Sequence, residues 1–255
     1  MATMKVLTLI VTYNEAENIA ALVPEVLRYV PTSSVLVVDD ASPDGTASVV
    51  SALAQQDSRV SVICRQGERG YGSAMIAGMR HAIAAGFDAV LTLDADFSHN
   101  PADLPKLLSA LDAADVTIGS RYTGGVRVLN WDVKRLLLSL GANAYVRYLS
   151  GLQCVDCTSG FRGYRASALA RVDLGSIRTS GYAFLPELLF TLGAVSIDEV
   201  PICYTERRVG ESKMSKRVIA EAILRPWILA ARRIGRGKTV VPPRRVAPGA
   251  AATDQ

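Results

Sequence analysis

Asp94 and Asp96 stand one residue apart where the apolar stretch Ala89-Val-Leu-Thr-Leu93 gives way to Ala95, Phe97, Ser98 and the helix-start pair Asn100-Pro101. The stretch reads as a buried strand, so both acids sit at its C-terminal end. In an open parallel α/β sheet that edge binds ligands. Two carboxylates held close raise one another's pKa unless a cation lies between them. Hard oxygen donors with open positions left over suit Mg²⁺ or Mn²⁺ bridging to a diphosphate. A solvated acid pair in a loop would show the same letters, so the remaining strand tips have to decide.

They repeat the pattern. Val6–Val11 reads as a first buried strand running into Thr12-Tyr13-Asn14-Glu15, and Asn14 with Glu17 predicts a capping box and a helix from about Glu15 to Tyr29. Val35–Val38 leads to Asp39 and Asp40, then a turn and a helix near Thr46. Val60–Ile63 is a third strand, followed by Gly67, Gly70 and Gly72 before a helix from about Ser73 to Ala85. That glycine spacing is neither a Walker loop nor G-x-G-x-x-G. Asp115–Gly119 is a further strand, ending at Ser120-Arg121-Tyr122. The alternation predicts an α/β fold with one Rossmann-like, mostly parallel sheet flanked by helices.

The second half is less regular and reads as the acceptor-recognition half. Asn130–Arg135 opens a helix to about Leu149, Thr158–Arg165 reads as a strand, Gly181–Glu187 starts a helix, and Val195–Ile202 is a last strand. The charged loop from Glu206 to Met214 could clamp phosphates or be a solvated connection. Over Lys216–Ile234 the pattern is an amphipathic helix, with Val218, Ile219, Ala222, Ile223, Pro226, Trp227, Leu229 and Ala230 against Lys216, Arg217, Glu221, Arg225, Arg232 and Arg233. Such a face can lie in a membrane interface or on the protein's own core. The division is a catalytic domain over 1–214, this helix over 215–234, and a disordered tail over 235–255.

At 255 residues, 49% hydrophobic and 20% charged, the chain can bury one large core. It has no apolar run long enough to span a bilayer, and its start leads into a strand rather than a signal peptide. A cytoplasmic protein, peripheral on the cytoplasmic face of a membrane, is the expectation. The net charge of +4 is concentrated toward the C-terminal third, which suits an anionic surface or substrate. Nucleic acid is not an expected partner. Cys154 and Cys157 have C-x-x-C spacing without a second pair, so reduced thiols fit better than zinc.

In this order, Thr12-Tyr-Asn-Glu15, Val37-Val-Asp39-Asp40-x-Ser42-x-Asp44-Gly-Thr46, Asp94-Ala-Asp96-x-Ser98-His, Gly119-Ser-Arg121-Tyr122, Trp131-Asp-x-Lys-Arg135, Ser159-Gly-Phe-Arg162 and Gly210-Glu-Ser-Lys213 resemble the inverting glycosyltransferases of family 2, with the GT-A fold. The nearer resemblance is to the branch that makes dolichyl-phosphate or polyprenyl-phosphate mannose. It implies that Thr12, Tyr13, Glu15, Val38, Asp39 and Asp40 line the nucleotide, with Tyr13, Glu15 and Asp39 holding base and ribose. It implies a metal site from Asp94, Asp96 and Ser98 against the diphosphate, with Ala95 among the donor-binding positions. Some relatives carry Gln at position 98. Arg121, Arg135, Arg207 and Lys213 would bind the donor diphosphate and the lipid phosphate.

The implied reaction moves mannose from GDP-mannose to a polyprenyl monophosphate with Mg²⁺ or Mn²⁺, giving a β-linked product from an α-linked donor. An acceptor phosphate is already anionic near neutral pH. No catalytic base is therefore required, and Glu187 is the nearest candidate for one. The implied partners are the nucleotide sugar, the lipid phosphate and a membrane surface, reached directly or through a membrane protein. The rival within the family uses UDP-glucose or a related donor, with a lipid phosphate or a sugar hydroxyl as acceptor. A nucleotidyltransferase would carry a Gly-rich, Lys-containing loop where Thr12–Glu15 stands. A nonenzymatic sensor or membrane adaptor would give no reason for acids at three strand tips.

Overall fold

Val6, Thr8 and Ile10 of β1 (Val6–Thr12) are buried on one face of the strand, Leu7 and Leu9 on the other, so this strand must lie between two layers. The computed structural model describes residues 4–67, 69–179, 181–206 and 216–235. β1 is central in a seven-stranded sheet of order β3-β2-β1-β4-β7-β5-β8. Its members are β2 (Ser33–Asp39), β3 (Val60–Cys64), β4 (Ala89–Asp94), β5 (Val116–Ser120), β7 (Arg162–Arg165) and β8 (Ile197–Pro201). Only β7 runs against its neighbours, pairing antiparallel with β4 and β5. The short strands β6 (Val128–Leu129) and β9 (Tyr204–Thr205) form a separate parallel pair.

Helices α1 (Ala16–Tyr29), α2 (Thr46–Gln56) and α4 (Leu104–Ala110) belong to the first half, together with α3 (Tyr71–Ala84). One core layer joins Ile10, Val35 and Val37 to Ile19, Leu22 and Leu107 of α1 and α4. The other joins Leu7, Leu9 and Val38 to Met75 and Met79 of α3, Leu169 of α6 (Ala166–Leu169), and Phe184 and Leu188 of α7 (Phe184–Leu192). Strand order reverses between β1 and β4, and register sets Val11 opposite Asp94 and Thr12 opposite Asp39. The tips of β1, β2 and β4 are therefore level at the reversal, where such sheets bind ligands.

The start of α1 differs from the expected capping box. Asn14 takes a left-handed φ of 58°, and no side chain of its own segment caps the helix. Instead the β2–α2 loop caps it: Ser42 Oγ, Thr46 Oγ1 and Asp44 Oδ2 each accept a backbone N–H, from Asn14, Glu15 and Ala16, at 3.0 Å. A partner from the next loop binds the two strand tips together, which a cap from within one loop would not do.

Helix α5 (Val133–Ser150) starts where expected, and Asp132 caps it, its Oδ1 accepting from Arg135 N at 2.7 Å. Helix α8 (Lys216–Gly235) packs on α5 and α7. Its faces differ from the simple amphipathic reading. Arg225, expected on the solvated side, turns inward to Glu187 of α7, while Pro226 and Leu229 are buried. The buried carboxylate draws the cation in, and Ile223, Leu224, Trp227 and Ile228 are left exposed. Arg207, Lys213 and the tail after residue 235 lie outside the described residues.

Candidate active site

β4 ends at Asp94, and the chain turns immediately, with Phe97 at φ 59°. Side chains two apart already share a face of a strand, and the left-handed turn at Phe97 ends the extended chain directly after the second acid. Ala41 at the β2 tip has φ 51°, so all three acid-bearing loops turn through a left-handed non-glycine residue. Each such residue costs about 1 kcal/mol in an L-amino acid. Strain of this kind collects at functional sites.

Around β4, Ser98 donates to Asp96 Oδ1 through its hydroxyl at 2.6 Å and its backbone N–H at 3.1 Å. Ser98 is buried and thus braces the second acid. His99 Nδ1 accepts from the Asp94 backbone N–H at 3.3 Å and lies 3.7 Å from the Asp94 carboxylate. Its ring stacks on Phe161 with centroids 5.0 Å apart. Burial pushes the His99 pKa down to about 4, so the ring is neutral at physiological pH. Tyr204 packs edge-on against His99, and burial together with the charge of Asp94 pushes its phenol up.

At the β1 and β2 tips, Asp39 is fully buried. It accepts from Thr12 Oγ1 at 2.9 Å and from Ser42 through both its hydroxyl and its N–H. Its role in the described state is to tie β1 to the β2 loop. Asp40 accepts from Gly70 N at 2.8 Å and pairs with Arg65 at 3.0 Å. Arg69 donates to Tyr13 Oη at 2.7 Å and lies over its ring, 4.6 Å from the centroid. Glu15 accepts from Asn18 Nδ2 at 2.9 Å. Tyr13, Asp40, Arg65 and Arg69 thus form a polar, cationic mouth at the β1 and β2 tips. Neither arginine was singled out by the sequence, because the loop carrying them reads as glycine spacing alone.

On the other side of β4, Arg121 is buried and bidentate on Asp156, with both side-chain contacts at 2.7 Å, and Nη2 also meets Thr158 Oγ1 at 2.7 Å. Burial alone would drive the Asp156 carboxyl up, but the hydrogen bonds and charge of Arg121 outweigh it and hold the group below the usual carboxylate range. Arg121 therefore faces a carboxylate, in a stack with Tyr122, Trp131 and Tyr204. Arg135 lies on the other part of this wall, 4.5 Å over the Trp131 ring and paired with Glu206 at 2.5 Å. Asp156 was missed because it sits between two cysteines. Those thiols are free and buried, and burial pushes Cys154 up to about 12.

Glu187 is not placed as a base. It is fully buried, accepts from Thr179 Oγ1 at 2.8 Å and is locked by Arg225. It fastens α8 to α7.

Two acids at a strand tip offer hard oxygen donors, and among the described residues no cluster of three or more His, Cys, Asp or Glu could hold a metal by itself. That donor set fits a divalent cation which keeps positions for substrate oxygens. A mostly parallel sheet with such acids at its reversal point, between a polar mouth and a cation–aromatic wall, defines a GT-A glycosyltransferase. The chain belongs to glycosyl transferase family 2, whose sequence profile matches residues 8–173. It is 43% identical to undecaprenyl-phosphate mannosyltransferase of Micrococcus luteus over 90% of this chain and 96% of that protein. It is 43% identical to polyprenol monophosphomannose synthase of Mycolicibacterium smegmatis, over 88% and 86%. To dolichol-phosphate mannosyltransferase of Pyrococcus furiosus it is 36% identical, over 86% and 61%. Glucosyl-3-phosphoglycerate synthase of Mycobacterium tuberculosis, solved with Mn²⁺, UDP and glucosyl-3-phosphoglycerate, shares the fold at a TM-score of 0.62. It is 17% identical, over 92% of this chain and 81% of that one.

Proposed function

We propose that this chain transfers mannose from GDP-mannose to a polyprenyl monophosphate with inversion at the anomeric carbon. The observation that carries the reading is the continuity from Asp94 and Asp96, through Tyr204, Trp131 and Arg135, to an exposed apolar face on α5 and α8. An acceptor with an anionic head and a long apolar tail matches that gradient. The relatives named for transfer to polyprenyl phosphates, 43% identical over nearly their whole length, support the same acceptor.

Asp94 and Asp96 would hold Mg²⁺ or Mn²⁺, with Ser98 orienting Asp96. A divalent ion held there would supply positive charge to the leaving nucleoside diphosphate. Tyr13, Glu15 and Asp40 would receive base and ribose, Thr12, Val38 and Asp39 shaping the floor beneath them, with Ala95 against the diphosphate. Arg135, Arg207 and Lys213 would meet phosphate, and Arg121 would set the wall against which Arg135 works. The acceptor monoester is already ionised near neutral pH. What the residues must do is align it for in-line attack, and alignment alone is worth several kcal/mol.

The test is transfer from radiolabelled GDP-mannose, with UDP-glucose in parallel, to a short polyprenyl phosphate with and without Mg²⁺ or Mn²⁺. Metal-dependent mannolipid from GDP-mannose is the expected product. Product from UDP-glucose alone would replace the donor, and no lipid product from either would overturn the acceptor.

Among the described residues no helix is long and apolar enough to cross a membrane. Contact with the lipid would then rest on the α5 and α8 face, where Leu138 is 75% and Trp227 59% exposed, beside Val133, Leu137 and Leu224. Burying one large apolar side chain is worth about 1.5–3 kcal/mol. Changing Leu138 and Trp227 together to Glu should lower co-sedimentation with anionic liposomes at least about tenfold. Unchanged binding would remove this face from the membrane reading. Arg232 is a poorer probe, lying 3.5 Å from buried Glu187.

A further inference from the structure

Along the sheet edge from β3 to β4, the groups suited to a base, a ribose and a diphosphate come in that order, from Arg65 and Asp40 to Asp94. On that reading of function, on which this inference rests, the transferred sugar lies one strand further, between the β4 tip and the start of β7. The side chain facing that place is Tyr71, the first residue of α3.

Its position is closely fixed. The ring centroid lies 5.5 Å from that of Tyr182, tilted, and 6.2 Å from that of fully buried Phe184, edge-on. The next residue is Gly72, where a Cβ would collide with the Thr179 carbonyl oxygen, so the first turn of α3 is pressed against the segment before α7. Glycine is required there by close approach. The Tyr71 hydroxyl lies 3.1 Å from the point that a Cβ on Gly160 would occupy, and Asp94 Oδ1 lies 3.1 Å from that same point. With no Cβ at Gly160, the phenol and the first metal-side acid both border the same point of the loop before β7, and a side chain there would press on each. A tyrosine phenol, with an ordinary pKa of about 10, is a hydrogen-bond donor at neutral pH.

We propose that Tyr71 is a donor-sugar residue, its hydroxyl donating to a hydroxyl of the transferred hexose held in a niche between the phenol and the Asp94 carboxylate. A hexose hydroxyl there meets a neutral donor and an acceptor carboxylate at once, which matches its own donor and acceptor capacity. Tyr182, 41% exposed and tilted against the Tyr71 ring, keeps the phenol from turning away. A site built to hydrogen-bond a substrate hydroxyl discriminates against an analogue that lacks it.

The test separates sugar from nucleotide. Tyr71→Phe keeps the ring and its packing and should raise KM for GDP-mannose about 5- to 10-fold, while the inhibition constant of GDP stays unchanged. With wild-type enzyme, GDP-mannose analogues deoxygenated at each hydroxyl in turn should include one that shows the same loss, and Tyr71→Phe should show no further loss with it. Equal KM values for wild type and variant would overturn the proposal. So would a parallel rise in the GDP constant or in the metal requirement, since the phenol would then act only by orienting Asp94. The deoxy series uses the wild-type chain, so it holds even where the variant folds poorly. Absence of mannosyl transfer by wild type counts against the function reading instead, and the same pair of constants measured with UDP-glucose and UDP then tests the niche.

Discussion

Asp96→Asn should lower turnover at least about 10³-fold while leaving the fold in place. The size follows from what the acid supplies. Removing a single oriented hydrogen-bond donor from a charge-stabilising site typically costs 10²- to 10³-fold, and a carboxylate that helps to hold a divalent ion carries more than one such contact. The fold should survive because Asn retains the Oδ1 that accepts from the Ser98 hydroxyl and N–H at 2.6 and 3.1 Å. Ser98→Ala removes only the hydroxyl brace and should cost about tenfold, in line with one lost hydrogen bond. Steady-state transfer over a Mn²⁺ titration, with thermal unfolding alongside, checks both variants. Near-normal turnover of Asp96→Asn at saturating Mn²⁺, with an unchanged melting temperature, would remove this acid from the metal site.

Much of this could be read from the residues because parallel strands announce themselves. Val6–Val11, Val35–Val38 and Ala89–Leu93 are largely apolar runs, buried on both faces as such strands must be, and the second and third end directly in acids. Position relative to the strand end was therefore available without coordinates. What was not available was pairing across distance. Arg121 and Asp156 are 35 positions apart, and Glu187 and Arg225 are 38 apart. Resemblance put Arg121 on a phosphate, the helical pattern put Arg225 on a solvated face, and Glu187 stood only as the nearest candidate for a base. Burial changes the outcome, since a charge removed from water needs a partner before it can do anything else. The cap of α1 failed for a related reason. Asn14 and Glu17 satisfy a local pattern, but Ser42, Asp44 and Thr46 reached the same N–H groups first from another loop. Helix α8 shows the same rule: Arg225 followed the buried carboxylate rather than the helical period.

Asp156→Asn should destabilise the chain by about 3–5 kcal/mol, because it leaves the buried Arg121 guanidinium without its countercharge. For a domain of this size that is a fall in Tm on the order of 10 °C. The loss should exceed that of an ordinary surface substitution, since Glu199 also accepts the backbone N–H groups of Val155 and Asp156 at 2.6 and 2.9 Å, so the loop has little freedom to open and admit water. The pH dependence gives an independent readout. The folded pKa of Asp156 is depressed below its unfolded value, so the stability it contributes is fully present above the unfolded carboxylate pKa, about 3.9, and is lost as pH falls through the lower folded value. Wild-type Tm should therefore fall steeply below about pH 4, and the Asn variant, starting lower, should fall less steeply. Some slope should remain, because Asp44 and Asp115 are also held below the usual range, for each of which hydrogen bonds outweigh the opposing effect of burial. Circular dichroism melts of both chains from pH 7 to pH 3 measure this. Parallel curves for the two would mean that the Arg121–Asp156 pair contributes little to the fold, and would free Arg121 for direct contact with phosphate.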